Sequence, residues 1–138
     1  MPAFLDPDLT GTDLHSVRLP SSPATPWLAR QLLAQWCREW HVSAAACDDS
    51  MLVMSELVTE LVAAGAEYVT IAATVGEADL EVSVTGVPTP SIGAQGVSED
   101  DVVVGGMDVV RGVADRVDVR LDEDGRTVVV AVPLRRAP

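Results

Sequence analysis

Two glutamates, Glu56 and Glu60, have the residue types and the spacing that point to chemistry in this chain. They lie four positions apart in a predicted helix, so that one turn places both carboxylates on the same face. Carboxylates are hard oxygen ligands for divalent cations. The same pair is also typical of the solvated polar face of a helix that does no chemistry, and the sequence leaves both interpretations open.

The other reactive residue types exclude several kinds of site. All nine basic residues are Arg, and the absence of Lys excludes a P-loop and covalent chemistry through a lysine amine. Cys37 and Cys47 are too few for a disulfide framework or a cysteine-based zinc site. They are a redox pair or two buried small hydrophobic residues, and the usual burial of free Cys favours the second interpretation. His15 and His41 are expected at exposed loop or strand-end positions, and we predict no metal site.

Length, charge and hydropathy restrict the class of protein. The 138 residues fit one domain, 48% of them are hydrophobic, and the formal net charge is −12. Because nucleic-acid binding depends on Lys and Arg at the phosphates, this charge argues against a nucleic-acid partner and favours a basic protein partner. No apolar run approaches the ~20 residues of a membrane helix, and the first thirteen residues do not resemble a signal peptide. We therefore expect a cytoplasmic protein without membrane contact.

Hydrophobic periodicity predicts the elements that must position these residues. Strand-like alternation and helical spacing follow each other in the order β-α-α-β-β-loop-α-β-β. The predicted strands cover 14–19, 67–75, 78–85, 116–121 and 127–134, and the predicted helices begin after Thr25, at about Ala45 and at Gly105. Because the strands group in hairpins, we predict an α+β fold: a two-layer α/β sandwich with a mostly antiparallel sheet and helices on one face.

The ends and faces of the first helix are marked in the sequence. Thr25 is expected to be its N-cap, with Pro26 at the first helical position. Trp36 and Trp40 lie on its apolar stripe and are expected in the core, whereas Trp27 lies at the edge of the stripe and is expected to be exposed.

The second helix is apolar on nearly all sides and is expected to be buried on more than one of them. Its narrow polar stripe contains Asp49, Glu56 and Glu60, and Gly65 is expected to end it.

The predicted domain occupies residues 14–136, after a flexible tail over 1–13. Inside it, residues 86–104 form a lid-like loop, and loops of this length in a compact domain are usually functional lids or disordered segments. Gly105 and Gly106 follow this loop, either as an ordinary junction between a loop and a helix or as part of a phosphate-binding turn.

Several motifs in this order resemble one family. The segment Met54–Thr59 (MSELVT) is similar to the SELVTN stretch on the nucleotide-facing helix of the anti-sigma-factor serine kinases of actinobacteria, the RsbW-like members of the GHKL ATPase superfamily. Leu80–Val84 looks like their third strand, Gly106–Val110 like the end of their second glycine box, and Gly125–Val128 like their closing hairpin. The resemblance extends over about residues 16–134, and it implies the same Bergerat-type ATP-binding fold.

The resemblance also implies roles for single positions. Glu56 matches the Glu that polarises the attacking hydroxyl or water in the family. Glu60 stands where the family has the Asn that holds magnesium, and this chain contains no Asn at all. Two unit charges about 4 Å apart repel by about 4 kcal/mol at an effective dielectric near 20, so the second carboxylate would weaken polyphosphate binding.

The adenine end of the site is changed as well. Gly86 stands at the position of the Asp that accepts the adenine amino group, or Thr85 does if the register is shifted by one. Gly105 and Gly106 keep only part of the glycine box, and Thr127 matches a residue that supports the adenine end. We therefore expect these positions to be a vestigial nucleotide site.

The function implied by this pattern is regulatory protein binding without catalysis. The partners implied by the resemblance are a sigma factor or an antagonist with a STAS-type fold, and the domain is expected to be able to form a homodimer. We expect no cofactor. The alternative is an active ATP-dependent serine kinase that uses magnesium through Glu60, and a third interpretation is a pocket reused for a different small molecule.

Overall fold

The computed structural model describes residues 13–87, 107–122 and 125–134. Most of the predicted tail, most of the lid-like loop, and Gly105 and Gly106 lie outside these residues. The elements in chain order are β1 (Asp13–Pro20), α1 (Thr25–Glu39), α2 (Ala44–Ala63), β2 (Tyr68–Val75), β3 (Asp79–Val87), α3 (Met107–Val113), β4 (Arg116–Asp122) and β5 (Gly125–Pro133).

The five strands form one sheet in the order β1-β2-β3-β5-β4, and every neighbouring pair is antiparallel. This confirms the predicted α+β architecture, and β1 lies at one edge of the sheet. The last strand in the chain, β5, does not lie at an edge, because it is inserted between β3 and β4. The inner part of the sheet is therefore completed only by β5, the last of these strands in the chain.

The core lies between the helices and one face of the sheet. Alternate residues of the three inner strands point toward the helices because side chains along a strand alternate between the two faces. These buried strand residues are Val69, Ile71, Ala73, Leu80, Val82, Val84, Val128, Val130 and Val132. None of the helices in the described ranges is long and apolar enough to cross a membrane.

The tryptophans of α1 lie where the apolar stripe places them. Trp36 is buried and Trp40 packs against the core as a partly buried residue. Trp27 is 56% exposed, as expected from its position at the edge of the stripe.

The start of α1 differs from the prediction by one residue. The N-cap is Ala24, which makes no side-chain cap, and Thr25 is already helical. The Thr25 hydroxyl instead accepts a hydrogen bond from the Ser22 N–H (2.9 Å) and donates one to the carbonyl of Pro20 (2.8 Å). Thr25 therefore closes the turn that leads from β1 into the helix.

Both ends of α2 are closed by local hydrogen bonds. The Ser43 hydroxyl caps the first turn by accepting from the Ala46 N–H at 3.3 Å. At the other end Gly65 has a φ of 91°, and the N–H groups of Gly65 and Ala66 donate to Val62 and Leu61. This is the Schellman arrangement that a glycine in the left-handed region permits, and it confirms Gly65 as the end of the helix.

Two expectations at the strands are corrected. The predicted loop starts too early, because Gly86 and Val87 still belong to β3 and pair with Val69 and Tyr68 of β2. His15 is not at a strand end: it lies inside β1, where its imidazole stacks on Trp36 and packs against the tilted ring of Trp40 (ring centroids 5.1 Å from each).

The stacked imidazole also pairs with the carboxylate of Glu39 at 2.8 Å. Trp36 of α1 and Trp40 directly after it thus pack against the His15 ring, which a pattern of spacing alone does not reveal. His41, in contrast, is exposed in the α1–α2 connection, as predicted.

Candidate functional site

Glu56 and Glu60 lie on one flank of α2, and both are half-buried. The exposed positions of this helix lie beside them around the helix axis and include Asp48, Leu52 and Thr59. The two glutamates therefore occupy the boundary between the core face and the solvent face.

The third residue of the predicted polar stripe does not share this position. Asp49, about two turns before Glu56 and three before Glu60, is 8% exposed and counts among the buried polar residues. Asp49 also takes part in an interaction within the protein. The predicted polar stripe is therefore buried at Asp49 and accessible to solvent only at Glu56 and Glu60.

Gly86 lies beneath the end of α2, on the face of the sheet that carries the core. A Cβ atom added to it would come within 2.8 Å of one Leu61 methyl and 3.2 Å of the other, and within 3.3 Å of the Ala66 Cβ. Leu61 and Ala66 are themselves buried. The position that the family resemblance assigns to an adenine acceptor is thus filled by apolar packing.

Arg126 is a neighbour of this position that the sequence analysis missed. It pairs directly with Gly86 across β3 and β5, and directly paired residues project from the same face of a sheet. The alternation of side chains along β5 predicts this position, because Arg126 lies two residues before Val128 and four before Val130, and both valines point into the core. An arginine is therefore the strand partner of the position where the family has an anionic acceptor.

Thr127 and Thr85 lie on the other face of the sheet. They pair in register, and their hydroxyl oxygens are 3.0 Å apart in a hydrogen bond. Because both alternate with residues that face the core, neither hydroxyl points toward α2. The structure places Glu56, Glu60 and Gly86 on the α2 side and Thr127 on the opposite side; Gly105 and Gly106 lie outside the described residues.

These residues do not fit a magnesium nucleotide of the kind bound by the family. Gly86 has no acceptor group, and the space for one is occupied by Leu61. A carboxylate at position 60 replaces a neutral amide beside Glu56, and no Asn elsewhere in the chain can replace it. Thr85, the alternative acceptor in a shifted register, faces away.

A cavity of about 710 Å³ lies at the other end of the sheet. One side is formed by the α1–α2 connection with Trp40 and Ser43, and the other by the β2–β3 turn with Glu77 and Asp79. Asp115, Pro133 and Leu134 complete the lining. Since its walls come from segments far apart in sequence, no local pattern predicts it.

The carboxyl group of Asp79 in this cavity has an altered acidity. Burial raises its pKa, and a hydrogen bond with Asp115 and the negative charge of Asp115 raise it further, while Arg116 acts in the opposite direction. Removing charge from water disfavours the ionised form, and so does a carboxylate close by. Asp79 therefore holds its proton to a higher pH than an ordinary aspartate.

The comparisons with known proteins do not assign a family. No family model matches the chain, and no curated protein matches it significantly. The resemblance to the anti-sigma-factor kinases therefore remains a prediction made from the motifs.

Proposed function

We propose that this chain is a regulatory protein-binding module, built like an anti-sigma-factor serine kinase, that binds its partner without using ATP. The observation that carries the proposal is the contact between Gly86 and Leu61, because it fills the position where the family recognises adenine. Glu56 and Glu60 of α2 support the proposal as well, because two carboxylates where the family resemblance places the phosphates would repel a polyphosphate.

The surface and the charge of the chain favour a basic protein as the partner. The net charge of −12 attracts cationic surfaces over a range of about one Debye length, roughly 8 Å at physiological ionic strength. Trp27 and Leu28 add exposed apolar area at the start of α1, and aromatic residues are enriched at the centres of protein interfaces. The family resemblance implies a sigma factor or an antagonist with a STAS-type fold as this partner, and a second copy of the chain can occupy a separate interface.

The test is isothermal titration of the full chain with ATP in the presence of magnesium. We expect no binding at micromolar ATP concentrations, whereas purified sigma factors and STAS-fold proteins of the same organism should include a partner that binds. Micromolar affinity for ATP, with phosphate transfer to a serine of a partner, would replace this proposal by the active kinase.

A set of restored variants tests the structural reason. Glu60→Asn combined with Gly86→Asp returns the two family ligands, but the new aspartate collides with Leu61, so this variant should gain little affinity. Adding Leu61→Ala provides the space and should raise ATP affinity at least about tenfold, the equivalent of about 1.4 kcal/mol. Circular dichroism checks that each variant is folded, and equal affinities of the double and triple variants would contradict the role assigned to Leu61.

A further inference from the structure

The sheet has a second face, opposite the core, that carries its own buried residues. Side chains alternate between the two faces along a strand, so the residues between those of the core point away from the helices. On β2, β3 and β5 these residues pair across the strands into three rows. Counted from the end of the sheet at the β2–β3 turn, the first row is Thr74, Glu81 and Ala131, the second is Ala72, Ser83 and Val129, and the third is Thr70, Thr85 and Thr127.

The first two rows, which we call the outer patch, are closed to solvent. All of their residues are buried, and Thr74 is 1% and Val129 3% exposed. The threonines of the third row are only half-buried. Neighbouring strands about 4.8 Å away shield a side chain laterally, but on a bare face they leave its end open to water. The burial of a valine at this place therefore requires a cover above the outer patch.

The cover does not come from the helices of the described ranges. Those helices build the core cluster on the other face, and the apolar residues of the outer patch, Ala72, Val129 and Ala131, are not part of that cluster. The patch is also narrow, because its neighbours in the two edge strands, Ser16 and Asp118, are exposed. Its extent therefore fits a single extended segment of chain better than another layer of helices or strands.

The N-terminal segment, residues 1–12, is long enough to reach the outer patch. It joins the sheet at Asp13 of β1, which pairs with Val75 of β2, so the segment starts beside the first row. Twelve extended residues span up to about 40 Å, whereas the five strands of the sheet measure only about 20 Å across.

We propose that the outer patch is a docking surface for the N-terminal segment of the same chain, whose side chains Phe4, Leu5 and Leu9 cover it. These apolar side chains exclude water from the valine and the alanines of the patch. Pro2 and Pro7 favour an extended backbone between the anchors. The segment that its composition predicts as a flexible tail is then held on the sheet.

Two other segments outside the described residues match the outer patch less closely. Residues 88–106 leave the sheet after Val87, beyond the half-buried third row, where the face is more open. Residues 135–138 contain no large apolar side chain. The docking of the N-terminal segment goes beyond the proposed partner binding and does not depend on it.

The test is the rate at which a thiol introduced into the outer patch is alkylated in the folded full chain. Ser83→Cys exchanges a single atom in the second row, and Cys47→Ala removes the partly exposed native thiol. We expect slow alkylation, and a rate about tenfold higher after deletion of residues 2–12, because opening of the cover then no longer limits the reaction. Thr85→Cys is the matched control: it lies on the same strand and face but in the third row, so the deletion should leave its rate unchanged.

A full-length variant decides the matter if circular dichroism shows that the shortened chain does not fold. Replacement of the three apolar anchors by serine should raise the alkylation rate of the thiol in the second row. Replacement of Asp6, Asp8 and Thr10 by serine, in the same segment, should not. The proposal is overturned if the apolar replacement leaves the rate unchanged, or if deletion of residues 135–138 alone raises the rate as much.

Discussion

At the scale of single residues, the contact between Gly86 and Leu61 is the tightest constraint in the candidate site. A Cβ at position 86 requires the buried Leu61 side chain to move, so we expect Gly86→Ala to lower the free energy of unfolding by about 1–3 kcal/mol. Gly112 is the matched control: it lies in α3 with nothing within 4 Å of an added Cβ, so Gly112→Ala should stabilise the protein by about 0.5–1 kcal/mol. Urea titration of both variants measures the difference, and equal effects would contradict the contact.

Gly86 also shows how much of the candidate site the sequence can predict. The motif MSELVT and the strand after it were enough to align Gly86 with a ligand position and to notice that it lacks an acceptor. They did not show that Leu61 fills the space or that Arg126 stands beside it, because both neighbours are set by the pairing of β3 with β5 and by the seating of α2. The roles of Glu56, Glu60 and Thr127 as nucleotide ligands stay predictions.

At the scale of elements, the end of α2 depends on the backbone of Gly65. Its φ of 91° is costly for any residue with a Cβ, so Gly65→Ala should destabilise the protein by about 1 kcal/mol through the loss of the helix cap. Gly76, in the β2–β3 turn, has no positive φ, and an added Cβ there would meet only the Asp79 carbonyl oxygen at 3.5 Å. Gly76→Ala should therefore leave the urea midpoint nearly unchanged, and a loss as large as that of Gly65→Ala would argue against the cap.

The order and type of the elements were predictable because each has a strong local pattern. Each pattern can be read within a single element: helical spacing around Leu33 and Trp36, and alternation of β-branched residues in β2 and β5. The residues that these patterns assign to the core are buried there. The errors lie where two elements meet: Thr25 serves a turn that ties β1 to α1, and His15 in β1 stacks on Trp36 of α1. Contacts of this kind depend on tertiary placement, which a one-dimensional pattern does not contain.

At the scale of the whole molecule, the excess of acidic groups makes stability depend on pH, and Asp79 gives a specific case. Its pKa is raised in the folded state by burial and then by Asp115. The stability that the proton provides is therefore fully present below the unfolded pKa, near 4, and is lost as the pH rises through the folded pKa.

Asp79→Asn should consequently increase the free energy of unfolding at neutral pH. It should also make the free energy of unfolding depend less on pH in the acidic range. Glu77→Gln, in the same turn, removes the same formal charge and serves as the control for overall repulsion. Urea titrations across pH 3–8, roughly, compare the two variants. A neutral-pH gain that is no larger for Asp79→Asn than for Glu77→Gln would contradict a specific effect of the Asp79–Asp115 pair.

The inserted position of β5 has a consequence for how the protein is made. During synthesis β1, β2 and β3 leave the ribosome first and can form a meander, but one edge of β3 stays open until residues 125–133 appear. Val128, Val130 and Val132 are also missing from the core until then. A nascent chain that stalls before β5 therefore presents an unpaired strand edge and an unfilled apolar layer, the features that attract chaperones and promote aggregation.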